Sequence, residues 1–169
     1  GDFEVLCVDD NSKDNSLEIL QKYKMKDERI RIFHKENEGV SEARNLALQQ
    51  IRGKFVLFVD SDDWIEPNTC EIAIKAADSQ NADVVIWPYI RELESESREK
   101  RIFDHDIIFD ENDAKYRLHR RMVGIYGNEL KAPENADALC TVWGKLYRTD
   151  IIVKNKIFFE DIREIGTYE

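Results

Sequence analysis

The residues best suited to chemistry in this chain are carboxylates that directly follow a run of β-forming residues. Asp60, Asp62 and Asp63 come after the run from Phe55 to Val59. An apolar run of this kind predicts a buried strand of a parallel sheet. Ligands of open α/β sheets bind just beyond the carboxyl ends of such strands. Because three crowded negative charges repel one another, we expect a positive partner, and a divalent cation with oxygen ligands is the natural candidate.

A second acidic pair follows another predicted strand near the start of the chain. Asp9 and Asp10 come directly after the β-forming run from Phe3 to Val8. The carboxyl ends of parallel strands lie along one edge of a sheet, so this pair and the cluster at 60–63 are expected to serve one site. A single aspartate at a strand end usually caps a helix or closes a turn. Capping needs only one carboxylate, so two clusters at equivalent positions favour a ligand site.

Strands and helices are predicted to alternate through the first half of the chain. Apolar residues at helical spacing follow the first two strands, and Glu66 with Pro67 is expected to open a third helix. This alternation predicts an α/β fold with a mostly parallel central sheet and helices on both faces. The predicted strands are Phe3–Val8, Ile30–His34, Phe55–Val59 and Val84–Tyr89.

The second half of the chain gives weaker signals. Residues 91–101 are strongly charged and are interpreted as a solvated loop or an edge hairpin. Residues 112–122 are expected to be helical, and residues 124–135 to form a loop. The run 141–147 predicts a strand, and 148–153 a short helix. No internal repeat and no second domain are evident, so a single domain over 1–169 is expected.

The composition is that of a globular domain rich in charge. The chain has 169 residues, 42% hydrophobic and 36% charged, with a net charge of −10. This charge argues against nucleic-acid binding, but a metal ion can still invert the local field for a phosphate-bearing substrate. Cys7, Cys70 and Cys140 match neither a zinc site nor a disulfide framework, so buried thiols in a reducing cytosol are expected. No apolar run approaches the roughly 20 residues of a membrane span.

Four segments resemble motifs of the family-2 glycosyltransferases. Residues 8–16 (VDDNSKDNS) resemble the family's V-D-D-G-S-x-D-x-S segment, and residues 36–45 (ENEGVSEARN) resemble its E-N-x-G-x-x-x-A-R-N segment. Residues 58–63 (FVDSDD) resemble its D-x-D motif in the D-S-D-D form, and residues 143–148 (WGKLYR) are similar to a K-L-Y-R stretch of bacterial members. A lone D-x-D is weak evidence, but the first three segments occur in the family's order and spacing over roughly residues 3–90.

The resemblance implies a GT-A fold and a nucleotide-diphosphate-sugar donor, with UDP-sugars favoured. The carboxylate of Asp10 is then expected to accept a hydrogen bond from the ring N–H of the base, and Asp9 to support the same loop. Arg44 is expected to approach the diphosphate, since a guanidinium pairs well with anionic oxygens. The implied enzyme is bacterial and cytoplasmic, or peripheral at the inner face of the membrane. It would transfer the sugar to a saccharide or lipid-linked acceptor in surface polysaccharide synthesis.

The resemblance also assigns roles to the second acidic cluster. Asp60 and Asp62 are expected to hold Mn²⁺ or Mg²⁺ against the two phosphates, which makes Asp60 part of the donor site as well. Asp63 is expected to face the sugar. A bound metal neutralises the charge that develops on the leaving nucleoside diphosphate. Trp64 is expected either to stack on the sugar or to pack beneath the loop.

Inverting transfer also needs a base that deprotonates the acceptor hydroxyl on the face opposite the leaving group. The resemblance assigns this base to a Glu-Asp pair beyond the K-L-Y-R stretch, and Glu169 is expected to mark that region ahead of Asp161. By the same comparison, the family's first strand and its C-terminal part are expected to be missing from the chain. Residues 1–90 would form the nucleotide-sugar-binding half of one truncated domain, and residues 91–169 its acceptor-side half.

Two other classes share parts of this pattern. The opening VLCVDD also resembles response-regulator receiver domains, in which Asp60 would be phosphorylated. That interpretation leaves Asp62 and Asp63 unexplained, and Pro67 lies too far from Asp60 for the receiver pattern. A nucleotidyltransferase with a related sheet is a nearer alternative, which the Ala-Arg-Asn segment at 43–45 disfavours.

Overall fold

The computed structural model describes residues 2–36, 38–93, 95–103, 105–119 and 139–160, along which strands and helices alternate. A π-helical turn over Ala114–Leu118 continues the fourth helix. In chain order the elements are β1 (Val5–Asp9), α1 (Ser16–Lys24), β2 (Ile30–His34), α2 (Val40–Gln50), β3 (Phe55–Leu57), α3 (Thr69–Gln80), β4 (Val84–Ile86), β5 (Tyr89–Glu92), β6 (Ser97–Lys100), α4 (Glu111–Asp113), β7 (Lys145–Arg148) and α5 (Thr149–Lys154).

The first two strands form a parallel pair. Their register runs from Val5 opposite Ile30 to Asp9 opposite His34. The pairing continues one step further, because the backbone N–H of Lys35 donates to the carbonyl of Asp9 at 3.0 Å. Register partners in a parallel pair project to the same face. The ends of both strands therefore bring Asp9 and His34 to one edge.

The remaining strands form two further sheets in the described part of the chain. One has the order β3-β7-β4, and the other is the antiparallel hairpin β5-β6, with Tyr89 opposite Lys100 and Glu92 opposite Ser97. The charged stretch at 91–101 therefore lies largely in an edge hairpin, which confirms that part of the prediction. Its exposed, charged strands suit an edge, because charge discourages pairing with another chain.

The chain divides into two compact units. The first comprises the described residues of Gly1–Val56 and Tyr147–Glu169, and the second those of Leu57–Leu146. The division falls inside β3 and β7. The predicted halves, 1–90 and 91–169, concern binding roles rather than compactness and stay a prediction.

Few side chains among the described residues are fully buried. In α3, Ala73 and Ala77 lie one turn apart on the buried face, and Leu146 and Ile152 are the other buried hydrophobic residues. Asn81 ends α3 in the left-handed conformation, at φ 48°, which asparagine tolerates.

Lys145 is a buried polar residue of β7 with its own set of acceptors. Its ammonium donates to the carbonyl and the hydroxyl of Thr141, the latter at 2.6 Å, and lies 3.5 Å from the carbonyl of Trp143. Burial lowers the pKa of Lys145 to about 8. The ring of Trp143 meets Tyr89 edge-on, with centroids 4.4 Å apart. Lys145 therefore fixes the loop that carries Trp143, whose ring packs against Tyr89 of β5.

Several predicted boundaries are wrong. The third helix begins at Thr69 after Asn68, so Pro67 precedes the helix instead of opening its first turn. Strand β3 stops at Leu57 instead of Val59, and β7 begins only at Lys145 because residues 141–144 form a bent loop. Apolar runs fix where a strand can form, whereas its length depends on the neighbouring strand that supplies hydrogen bonds. The predicted loop at 124–135 lies outside the described residues.

The cysteines also differ from expectation. Cys70 and Cys140 are exposed and Cys7 is half-buried, so the prediction of three buried thiols is wrong. Cys70 lies in the first turn of α3, whose packing face is occupied by Ala73 and Ala77. No helix in the described ranges combines the length and the apolar character needed to cross a bilayer.

Candidate functional site

The carboxylate of Asp9 is buried at the end of β1 and is held from two sides. Its Oδ2 lies 2.7 Å from Nδ1 of His34, and its Oδ1 accepts from the backbone N–H of Ser12 at 3.4 Å. Hydrogen bonding from Ser12, opposed by burial, together with hydrogen bonding from His34, holds the pKa of Asp9 below its usual range. Because the ionised carboxylate only accepts, Nδ1 of His34 must carry the proton. These contacts fit a residue that supports the loop.

Asp10 connects the end of β1 to the start of α2. One oxygen accepts from the backbone N–H of Glu38 at 3.0 Å, and the other from that of Gly39 at 2.8 Å. Gly39 is the residue that precedes α2 and has φ 94°, a backbone conformation open to glycine. Each carboxylate oxygen keeps a second acceptor position. Asp10 can therefore accept a further hydrogen bond from a ligand while it holds the α2 loop.

Arg44 lies on α2 and faces the segment that follows α5. Its guanidinium carbon is 5.5 Å from the ring centroid of Phe159, a cation–π distance. Burial raises the pKa of Tyr147 to about 12, and the positive charge of Arg44 acts in the opposite direction. The adjacent Asn45 forms two hydrogen bonds with the backbone of Phe159. Helix α2 is thus joined to β1 at its start and to Phe159 in its middle.

The second acidic cluster occupies one tight turn after β3. The backbone N–H of Asp63 donates to the carbonyl of Asp60 at 3.1 Å, which closes the turn with Asp62 inside it. Burial, and then the charges of Asp62 and Asp60, raise the pKa of Asp63. Trp64 follows directly and is 71% exposed, so it does not pack beneath the loop. The turn presents three carboxylates and an accessible indole.

The chemistry of this turn fits a hard divalent cation. Its donors are carboxylate oxygens. Burial, and after it the negative charges of Asp62 and Asp60, raise the pKa of Asp63, and a cation would offset those charges. Across the described residues, no group of three or more His, Cys, Asp or Glu converges in a geometry that would hold a metal on its own. Mg²⁺ is usually bound through one or two carboxylates plus substrate phosphates and waters. A site completed by the substrate is therefore consistent with the turn.

The structure leaves the predicted base unplaced, because Glu169 and Asp161 lie outside the described residues. The segment that leads towards them borders a groove of about 480 Å³ on the first unit. One wall of this groove includes Glu42, Asn45 and Gln49 from α2, and the opposite wall includes Phe158. Among the described residues, neither Asp9 and Asp10 nor the aspartates at 60–63 line it. The groove is thus separate from the acidic pair at 9–10 of the same unit.

Two contacts of this region are not predicted from the sequence. His34 is 25 residues from Asp9 but is its register partner, so the signal was the matching ends of two neighbouring parallel strands. Asn45 belongs to the predicted motif at 36–45, but that motif does not predict that its side chain binds a residue 114 positions away. A contact over that separation leaves no local pattern in the sequence.

Comparison with protein families gives one match that spans most of the chain. The model described as "Glycosyl transferase family 2" matches residues 1–152. That range contains Asp9, Asp10, Arg44 and the turn at 60–63. The match extends well beyond half of the sequence.

Individual relatives agree with this match. The chain is 32% identical over 156 residues to the putative glycosyltransferase EpsH of Bacillus subtilis, covering 92% of this chain and 41% of that protein. It is 34% identical over 164 residues to the glycosyltransferase GlyA of Streptococcus pneumoniae, covering 96% of this chain and 22% of that protein. The chain therefore spans less than half the length of these relatives.

A similar architecture is found among solved structures. The crystal structure of S. aureus TarS 1-349 in complex with UDP-GlcNAc superposes with a TM-score of 0.65 at 29% sequence identity. The superposition covers 94% of this chain and 40% of the TarS chain. The similarity thus includes both compact units and extends over the described strands and helices.

Proposed function

The chain belongs to glycosyl transferase family 2, an enzyme family with the GT-A fold, and from this membership we propose that it forms the donor-binding part of a metal-dependent, inverting glycosyltransferase. The predicted family and fold are thereby confirmed. The receiver-domain alternative, with Asp60 as the phosphorylated residue, is wrong because the family match covers residues 1–152, which include both acidic clusters. The observation that carries the choice of donor is the similarity to TarS, whose structure was solved with UDP-GlcNAc.

The first unit supplies the groups proposed to bind the nucleotide. The carboxylate of Asp10 accepts a hydrogen bond from the ring N–H of uracil at an acceptor position that the protein contacts leave open. The hydrogen bonds from Glu38 and Gly39 hold the Asp10 side chain in place. Asp9 and His34 keep the end of β1 rigid beneath it. Arg44, on the helix that Asp10 anchors, contributes positive charge towards the diphosphate. A single ligand would then contact residues from β1 and α2.

The turn after β3 supplies the groups proposed to act on the leaving group. Asp60 and Asp62 would hold Mn²⁺ or Mg²⁺, and a cation bound there would supply positive charge that stabilises the departing diphosphate. Asp63 accepts from sugar hydroxyls, and the exposed ring of Trp64 offers a face on which the sugar packs. The reaction then depends mainly on positioning and electrostatics.

The base is proposed to belong to the region of Glu169. It removes the proton from the acceptor hydroxyl as that oxygen attacks the anomeric carbon from the face opposite the diphosphate. We propose a saccharide or lipid-linked acceptor, with the enzyme at the cytoplasmic side of a bacterial membrane and its product in surface polysaccharide. In this proposal residues 1–90 serve mainly the donor and residues 91–169 mainly the acceptor.

Calorimetry with UDP and Mn²⁺ on the full-length protein tests this function. UDP should bind more tightly with Mn²⁺ than with EDTA, and Asp62→Ala should remove most of that difference, because a site with few protein ligands depends on each of them. Asp106→Ala replaces an exposed aspartate outside both clusters and should bind UDP like the parent. Binding that ignores both the metal and Asp62→Ala would rule out the assigned site.

A further inference from the structure

The side chain of Asn45 pairs with the backbone of Phe159 as a neighbouring strand would. Its Nδ2 donates to the carbonyl of Phe159 at 2.8 Å, and its Oδ1 accepts from the N–H of Phe159 at 2.8 Å. The two bonds fix which end of the amide is oxygen and which is nitrogen. Nδ2 also lies 3.5 Å from Oε1 of Glu42, one turn earlier on α2. Both hydrogen-bonding groups of the Phe159 backbone are thus satisfied by one side chain.

Phe159 is held by two consecutive residues of the same helix. Arg44 lies over its ring at 5.5 Å, and Asn45 binds its backbone. The neighbouring Phe158 is 61% exposed. Phe158 therefore contributes little apolar burial, whereas Phe159 is half-buried. The two bonds of Asn45 are directional contacts that fix the position of the Phe159 backbone.

The location of this anchor relates two parts of the proposed reaction. Helix α2 carries Arg44, and its start is bound by Asp10. Phe159 belongs to the segment that continues towards Glu169, the region proposed to hold the base. One helix therefore carries both Arg44, which is proposed to bind the diphosphate, and Asn45, which binds the segment that continues towards the proposed base.

We propose that Asn45 is a positioning residue, which fixes the base-bearing segment to the helix that contacts the donor diphosphate. The proposal rests on the proposed function, because it assigns a role to Glu169 that follows from that function. A small misplacement of a catalytic group lowers the rate steeply. Donor binding through Asp10 does not use the hydrogen bonds of Asn45, and Arg44 is unchanged in variants of Asn45. Loss of the anchor should therefore lower kcat and leave UDP affinity nearly unchanged.

Two variants of Asn45 and one matched control test this. Asn45→Asp keeps the acceptor for the Phe159 N–H but sets a carboxylate against the Phe159 carbonyl, and Asn45→Ala removes both bonds without adding charge. Gln49→Glu makes the same amide-to-carboxylate change one turn further along α2, on an exposed side chain that lines the same groove. The control therefore reproduces the new charge and its surroundings without breaking the anchor.

The measurement is UDP release from a panel of UDP-sugars by the full-length protein, expressed per UDP-binding site counted by calorimetry. Counting sites in this way removes any loss of folded protein from kcat. We expect kcat to fall about 10- to 100-fold in both Asn45 variants, with the KM for donor and the Kd for UDP within about threefold of the parent. Gln49→Glu should stay within about twofold. Equal losses of UDP affinity and kcat, or a control as impaired as Asn45→Asp, would overturn the proposal.

Hydrogen exchange provides a readout that does not depend on turnover. The amide of Phe159 should be protected in the parent and should exchange at least about tenfold faster in Asn45→Ala, since its acceptor is gone. Unchanged protection would show that the anchor does not hold the segment, and the proposal would fail. A parent that exchanges as expected but binds no UDP would instead refute the proposed function and leave the anchor itself confirmed.

Discussion

Asp9 and His34, the last register partners of the parallel pair β1-β2, are joined through their side chains, with Oδ2 and Nδ1 2.7 Å apart. The carboxylate is buried, whereas half of the histidine side chain is exposed. Parallel strands have no turn to join their carboxyl ends, so this contact closes the edge of the sheet where the ligand is proposed to bind. The same contact fixes the tautomer of His34. Hydrogen bonding from Ser12, and after it from His34, holds the pKa of Asp9 below its usual range.

Replacing Asp9 should make the free energy of unfolding less dependent on pH in the acid range. The pKa of Asp9 is lowered in the folded state, so its stabilising effect is present above the unfolded value of 3.8 and is lost as the pH falls through the lower folded value. We expect Asp9→Asn to reduce the free energy of unfolding by about 1–3 kcal/mol at pH 7. In urea unfolding the difference from the parent should shrink below about pH 4. Asp106→Asn is the matched control and should change neither the free energy of unfolding at pH 7 nor its dependence on pH. If Asp9→Asn and the parent differ by the same free energy down to the lowest pH at which the protein folds, the lowered pKa of Asp9 is contradicted.

Arg31 should contribute more to the stability of the fold than Arg29, which lies just before β2. Its Nη1 donates to Glu4 at 2.7 Å and to the carbonyl of Gln50 at 2.8 Å, which links β1, β2 and the end of α2. Although burial opposes the change, hydrogen bonds from Arg31 and from the backbone of Arg52 lower the pKa of Glu4. We expect Arg31→Met to cost about 1–3 kcal/mol, because it leaves a partly buried carboxylate and a helix-end carbonyl without their donor.

The control for this change is Arg29→Met. Arg29 pairs with Asp27, only two residues away and largely exposed, so its loss should cost clearly less than the loss of Arg31. Chemical denaturation at low and at high salt measures both variants. Equal costs for the two arginines, or a cost for Arg31→Met that salt abolishes, would show that the Glu4 contact behaves as an ordinary surface pair.

Gly39→Ala should destabilise the start of α2 through the backbone alone. A Cβ built on Gly39 meets nothing within 4 Å, so there is room for the methyl group. The residue has φ 94° and ψ 171°, however, which is a region that only glycine adopts easily. We expect a cost of about 1–3 kcal/mol and weaker UDP binding, because the Gly39 N–H that Asp10 accepts would shift. A melting temperature and UDP affinity equal to those of the parent would argue that the loop tolerates another conformation.

Thr149→Val is expected to be neutral or stabilising. The hydroxyl of Thr149 is the buried side-chain polar atom that has no hydrogen-bond partner in the described part of the chain. Replacing it by a methyl group removes the desolvation cost of that hydroxyl and keeps the shape, so stability should rise by up to about 1 kcal/mol. Thermal unfolding measures the change.

Thr141→Val makes the same substitution where the hydroxyl is used. Thr141 Oγ1 donates to the carbonyl of Trp143 at 3.1 Å and accepts from Lys145 at 2.6 Å. This variant should lose about 1–3 kcal/mol, because the buried ammonium of Lys145 loses an acceptor. Destabilisation by Thr149→Val of the same size as by Thr141→Val would show that the Thr149 hydroxyl has a partner, such as water.

The sequence by itself determined the family, the α/β alternation and the two acidic clusters. Each of these depends on residues close together in the chain, such as an apolar run followed by aspartates, so periodicity and motif spacing suffice to find them. The second strand was predicted to the residue, at Ile30–His34, and the turn at 60–63 follows its strand as expected.

Only the tertiary structure decided what those residues contact. In the structure, Asp9 contacts His34, and Asp10 accepts hydrogen bonds from the backbone of Glu38 and Gly39. Asn45 binds Phe159, which is 114 positions away in the sequence. Cys70 is exposed to solvent in the structure, although composition alone predicts that it is buried. The physical reason is that strand register and helix orientation set these contacts, and both follow from the packing of the whole chain, not from any local pattern.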